Sequence, residues 1–175
     1  MNSTYPKPRR MTRLFGHDGR IVIVAMDQPA YFGAMPGADQ PGPLIRSLVA
    51  GGADAIVTTF GVAMACAADF GRAGLILRAD GGSTKLAPNA LPGSVESFRY
   101  VLDGCYVPVA ILDGPKMGSD QDLLTTVREA LTAGASGVAL GRNVWQHPRP
   151  ERITAAVAAL VHLDATVEQA MGMLT

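Results

Sequence analysis

The clearest signal along the chain is a set of continuously apolar segments separated by stretches with helical spacing. Ile21-Val-Ile-Val-Ala-Met26 is apolar at every position, and the run from Arg20 ends in the carboxylate of Asp27. Continuous rather than alternating apolar character means burial on both faces, as in a parallel sheet. The same character recurs at 55–60, at 74–80 (ending in Asp80), at 107–112 (followed by Asp113) and at 137–140, so five strands are predicted. Between them, Leu44, Leu48 and Val49 set a helix over 44–50 that Gly51-Gly52 stops. Small residues over 62–70 predict a short helix. Val95, Phe98, Val101 and Leu102 predict another over 94–103, with Ser94 as N-cap and Gly104 as stop. The strongest helix is 120–133, with Leu123, Leu124, Val127 and Leu131 on one stripe and Gly134 at its end. An amphipathic helix over 150–163 closes the chain through Ile153, Val157, Leu160 and Val161. The Gly- and Pro-rich stretches 28–43 and 81–93 are predicted loops.

Strand and helix alternate throughout, and two helix-to-strand junctions look alike: Leu48-Val-Ala-Gly-Gly-Ala-Asp-Ala-Ile-Val57 and Leu131-Thr-Ala-Gly-Ala-Ser-Gly-Val-Ala-Leu140. This repetition predicts an α/β fold, either a parallel β/α barrel or a doubly wound sheet. Five strands are too few to close an eight-stranded barrel. Residues 1–19 form a basic N-terminal segment, with Lys7, Arg9, Arg10 and Arg13, and 20–175 one domain.

Composition narrows the function classes. The chain has 175 residues, 48% hydrophobic and 17% charged, so a sizeable core is expected. Lys+Arg and Asp+Glu are 15 each, so no global field exists to hold nucleic acid or an anionic membrane. No apolar run approaches a membrane span, and no long apolar stretch follows the basic start, so neither a membrane partner nor a secretory leader is expected. Cys66 and Cys105 lie in separate segments without metal-ligand spacing, which fits two reduced thiols in a cytoplasmic protein.

In parallel β/α folds ligands meet the C-terminal ends of the strands. Asp27, Asp80 and Asp113 stand there as candidate acids, bases or hydroxyl-orienting groups, although a strand-end Asp also serves as an ordinary loop cap. Gly114-Pro-Lys116 and Gly141-Arg-Asn143 are turns whose backbone N–H groups suit a phosphate, with Gly114, Gly141, Arg142 and Asn143 as the candidate contacts. Of the three lysines, Lys7 is in the polar segment, whereas Lys85 and Lys116 follow strands and are candidates for a desolvated, imine-forming amine. His17, His147 and His162 are scattered, no metal cluster is legible, and no cofactor is expected.

The stretches Val22–Asp27, Gly52–Val57, Leu77–Gly82, Pro92–Arg99, Pro108–Lys116 and, most specifically, Ala133–His147 resemble the class I (Schiff-base) aldolase family. That family includes archaeal-type fructose-bisphosphate aldolase, the 2-amino-3,7-dideoxy-hept-6-ulosonate synthases and the autoinducer-2 phosphate thiolase. The resemblance implies a TIM-like barrel, phosphorylated sugar-like ligands, a Schiff-base lysine and homo-oligomers. It gives Asp27 an acid/base role and the Gly114 and Gly141–Arg142 turns a phosphate. It also implies that the central strands are lost, leaving about five βα units: the third strand runs almost directly into the segment that usually follows the sixth. The family's Val-Lys-Thr strand has no counterpart, its Met-Asp-His-Gly is Met26-Asp-Gln-Pro29 here, and its Gly-Gly-Pro turn is Asp113-Gly-Pro115.

Three functions stay open. The first is an aldolase-like lyase acting on a small carbonyl or sugar-phosphate substrate through an imine on Lys85 or, second, Lys116, with Asp27 moving the proton and Asp80 or Asp113 holding a hydroxyl. The second is a non-catalytic phosphate-binding or regulatory relic. The third is an isomerase or cyclase that uses Asp27 without an imine. An incomplete barrel leaves strand edges open, so a homo-oligomer that covers them is expected.

Overall fold

A computed structural model of the chain describes residues 14–33, 35–78, 99, 108–112 and 114–175. Its framework is one five-stranded parallel sheet of β1 (Ile21–Ala25), β2 (Ala55–Thr58), β3 (Gly74–Leu77), β4 (Ala110–Leu112) and β5 (Gly137–Leu140). The order is β3-β2-β1-β5-β4, so the first strand pairs with the last. Val22 lies beside Val138, and Val24 lies beside both Ile56 and Leu140. Chain order steps outward from β1 to β3, then resumes at the far edge with β4 and steps back to β1. A pairing of first and last strands is the seam of a β/α barrel, so the fold is α/β of the barrel type rather than doubly wound. Among the described residues no strand stands between β3 and β4.

The helices are α1 (Pro29–Phe32), α2 (Pro41–Ala50), α3 (Phe60–Ala65), α4 (Asp120–Ala133), α5 (Arg142–Trp145), α6 (Pro150–His162) and α7 (Val167–Gly172). Several bounds depart from expectation. Prolines 41 and 43 sit in the first turn of α2, where a missing N–H costs nothing, so that helix starts three residues before the apolar stripe. The 28–43 stretch also holds α1, with Pro29 at its first position. The segment over 62–70 is two pieces. Thr59 Oγ1 accepts from Val62 N at 3.4 Å to start α3, and a 3-10 turn over Ala67–Phe70 follows Cys66, which is buried. The expected helix over 94–103 lies outside the described residues, apart from Arg99, which is helical.

Helix α4 forms as its caps dictate. Ser119 Oγ accepts from Asp122 N at 3.2 Å, Asp120 and Asp122 place negative charge on the first turn, and Gly134 takes φ 114° at the end. Its Leu123, Leu124 and Val127 are buried against Ile153, Val157 and Leu160 of α6 and the outer sheet face of Val22, Val24, Ile56, Val138 and Leu140. Burying side chains of this size is worth about 1.5–3 kcal/mol each before entropic costs. Trp145 is buried in the same cluster. At Gly137 the sheet admits no side chain, because a Cβ there would overlap the Ile21 carbonyl. The other sheet face, with Ala25, Val57 and Ala139, is left to line a cleft. No described helix is long and apolar enough to cross a membrane.

Candidate functional site

The cleft lies at the C-terminal ends of the strands and encloses about 500 Å3. Asp27 follows β1 by two residues and is 4% exposed. The sheet ladder places it there: Met26 N donates to Val57 O at 2.8 Å, so β1 stays paired to β2 past its last formal strand residue. On the far side of β2, Arg78 N donates to Thr58 O at 2.9 Å and fixes Arg78 just beyond β3. The Arg78 side chain then crosses above β2, and its Nη1 donates to Asp27 Oδ2 at 2.7 Å. A carboxylate this deeply buried needs such a partner.

Gln28, Phe32, Leu112, Gly114, Gly141 and Arg142 complete the lining. Phe32 and Leu112 are 72% and 64% exposed, so the mouth is apolar and open. Gln28 Oε1 is buried with no hydrogen-bond partner among the described residues, an acceptor turned into the structure without a donor. Gly141 precedes α5, and its carbonyl accepts from Val144 N at 2.9 Å and Trp145 N at 3.1 Å, which folds the chain back so that Arg142 borders the cleft.

The candidates separate by position. Asp27, Gly114, Gly141 and Arg142 meet in one cleft. Asn143 is buried and spans the neighbouring turn: its Oδ1 accepts from Met117 N at 2.7 Å and its Nδ2 donates to Pro115 O at 3.2 Å. It therefore holds the turn after β4 in shape. Lys116 is exposed and lines two other hollows, beside Gln146 and His147, rather than this cleft. His147 accepts from Arg149 N on Nδ1 at 3.0 Å, which leaves Nε2 to donate to Asp120 Oδ2 at 3.2 Å. Asp80, Lys85 and Asp113 lie outside the described residues. No group of three His, Cys, Asp or Glu among the described residues is placed to hold a metal.

Sequence reasoning missed Arg78 and Gln28. The third strand, expected to run to Asp80, stops at Leu77, so Arg78 is the residue that directly follows it. Arg78 has the register that brings it level with Asp27, a relation visible only once β3 is aligned on β2.

Residues 83–147 match the DeoC/LacD family aldolase profile. An uncharacterized aldolase of Saccharolobus solfataricus is 38% identical over 82 residues, which are 47% of this chain and 30% of that protein. The 2-amino-3,7-dideoxy-D-threo-hept-6-ulosonate synthase of Halobacterium salinarum is 46% identical over 82 residues, 47% of this chain and 31% of the synthase. The class 1 fructose-bisphosphate aldolase of Halobacterium salinarum is 36% identical over 83 residues, 47% of this chain and 32% of the aldolase. The sequence match thus spans about a third of the length of these relatives. In fold, a crystal structure of an archaeal fructose 1,6-bisphosphate aldolase superposes with a TM-score of 0.66 at 20% identity, over 87% of this chain and 98% of that one. A second archaeal structure, with its catalytic lysine bound to the carbinolamine intermediate of the substrate, gives 0.65 at 20% identity, with the same coverage. Over part of its length the chain is similar in sequence to the DeoC/LacD family aldolases, and it shares the parallel β/α fold of archaeal fructose 1,6-bisphosphate aldolase.

Proposed function

We propose that this protein is an aldolase-like lyase that makes or breaks a carbon–carbon bond in a small anionic carbonyl compound through a lysine imine. The observation that carries the reading is the ion pair of buried Asp27 with Arg78 in a strand-end cleft that also presents Arg142 and two glycine turns. Among the described lining residues two arginines stand against one carboxylate, a positive balance that favours a phosphate or carboxylate on the substrate. The Gly114 and Gly141 turns and Arg142 receive a phosphate group in this reading, and Asn143 keeps the 115–117 turn in shape for it.

The chemistry follows from the groups. A neutral lysine amine adds to the substrate carbonyl, and loss of water gives an iminium. Asp27 accepts the proton of the hydroxyl on the carbon to be released. That oxygen becomes an aldehyde, the bond breaks, and its electron pair moves into the iminium to form an enamine. Protonation of the enamine carbon and addition of water then free the second product and the lysine. Gln28 borders the same cleft and would lie beside the substrate in this reading. Lys85 is the first candidate nucleophile, since it shortly precedes the Pro92-Gly93 segment that in the resembled family follows the imine-forming lysine. Lys116 is the weaker one, since it stands outside the cleft.

That position of Lys116 favours one second reading: Asp27 acting as acid and base in an isomerisation or cyclisation with no imine. Borohydride reduction in the presence of phosphorylated and free ketones and aldehydes separates the two. A reduced adduct on a lysine supports the lyase. Turnover that depends on Asp27, with no adduct, supports the second reading. Neither adduct nor turnover in folded protein overturns both.

A further inference from the structure

At the opposite ends of the strands, the last turn of α6 brings His162 between two carboxylates. His162 Nδ1 lies 2.7 Å from Asp18 Oδ2, and Nε2 lies 2.9 Å from Asp54 Oδ2. Both carboxylates are already fixed to the start of β1. Asp18 Oδ1 accepts from Arg20 N at 3.0 Å, and Asp54 Oδ2 accepts from Val22 N at 2.7 Å. One imidazole therefore joins the C-terminus of α6 to the turn before β1 and to the loop before β2. Two ring nitrogens facing two carboxylate oxygens need two N–H donors, and only the imidazolium has them. A neutral ring offers one N–H, and its other nitrogen then sets a lone pair against a carboxylate oxygen.

We propose that His162 is a pH-sensitive latch, closed while its imidazolium bridges Asp18 and Asp54 and loosened when the ring gives a proton to solvent. The surrounding charges are of both signs. His17 and Arg72 line the same hollow of about 660 Å3. Arg20 is drawn off to the Val161 carbonyl at 2.6 Å, and Asp164, just past α6, pairs with Arg128 at 2.6 Å. The hydrogen bond to Asp54 leads in raising His162 above the ordinary histidine value. Burial opposes it, and Asp18 adds to it. Burial pushes the Asp18 carboxyl up, but His162 and the Arg20 amide outweigh it and hold it below the usual carboxylate range.

The signs follow. A raised histidine contributes stability that is complete below about pH 6.5 and is lost as pH rises through its folded value. A depressed aspartate contributes stability that is complete above about pH 4 and is lost as pH falls through its folded value. The latch is therefore fully closed between about pH 4 and 6.5.

The test uses the full chain. The imidazole nitrogen resonances of His162 are followed with pH, and urea unfolding is measured from about pH 6 to 9 in the wild type, His162→Gln and Asp18→Asn. The expected result is a doubly protonated His162 above the ordinary midpoint, which Asp18→Asn lowers. The wild-type urea midpoint should drop on the order of 0.5 M across that range, and His162→Gln should lose most of the drop. A His162 that titrates at or below the ordinary midpoint overturns the proposal, as does a wild-type slope that survives in His162→Gln. The NMR arm holds even where a variant fails to fold.

Discussion

Arg78 and Asp27 join the ends of two strands that do not pair with each other. The guanidinium reaches over β2 to place Nη1 2.7 Å from Asp27 Oδ2. The ion pair lines the cleft, and it ties the candidate proton carrier to a residue that lies 51 positions later in the chain.

Asp27→Asn and Arg78→Met should therefore behave differently. Asp27→Asn keeps the shape and an acceptor oxygen but cannot take a proton, so turnover should fall by about a hundredfold or more with the fold intact. Arg78→Met leaves a buried carboxylate without its cation and should cost about 2 kcal/mol, less than a fully buried pair because Arg78 is partly exposed. Turnover assays paired with urea unfolding check both. An Asp27→Asn variant with unchanged turnover would move the chemistry elsewhere.

Asn143 should matter through the turn it spans. Asn143→Ala removes the acceptor of Met117 N and the donor to Pro115 O, at about 1–2 kcal/mol in stability. Asn143→Asp keeps the acceptor and loses the donor. Phosphate affinity, measured by calorimetry, should fall in both and more in Ala; equal affinity across all three proteins would separate the turn from phosphate binding.

Gly137→Ala should be among the more damaging single-methyl changes in the chain. The added Cβ meets the Ile21 carbonyl, a backbone atom that cannot turn aside. A loss of about 2–3 kcal/mol is expected in chemical denaturation. A change below about 0.5 kcal/mol would mean that β1 and β5 part more readily than their pairing indicates.

Phe60 and Met64 on α3 and Leu75 and Leu77 on β3 are exposed along one edge of the sheet. Among the described residues β3 is an edge strand, and such an edge with apolar neighbours invites another chain. A homo-oligomer is expected by light scattering at micromolar concentration, and Leu75→Lys with Leu77→Lys should shift it toward monomer. A wild-type monomer at that concentration contradicts the expectation.

The elements that sequence reasoning located well carry redundant signals. Helix α4 has a Ser cap, a full apolar stripe and a left-handed glycine stop, and its predicted and observed bounds agree at Asp120–Ala133. Helices α1 and α5, of four residues each, are too short for a period to show. Helix α7 did carry a legible signal: Thr166 and Gln169 form a reciprocal capping box, the Thr-x-x-Gln pattern of a helix start. The site was half legible. Asp27 stands out because it ends an unbroken apolar run, whereas Arg78 depends on where β3 stops and on how β3 aligns with β2. Propensity does not encode either of these at single-residue precision.

The central claim is imine chemistry in the Asp27 cleft, and intact-mass spectrometry after borohydride reduction with phosphorylated and free carbonyl compounds tests it most directly. The account predicts a stable adduct that maps to Lys85, persists in Lys116→Ala and still forms in Asp27→Asn, where carbon–carbon cleavage is lost. Folded protein that yields no adduct with any carbonyl compound would contradict it.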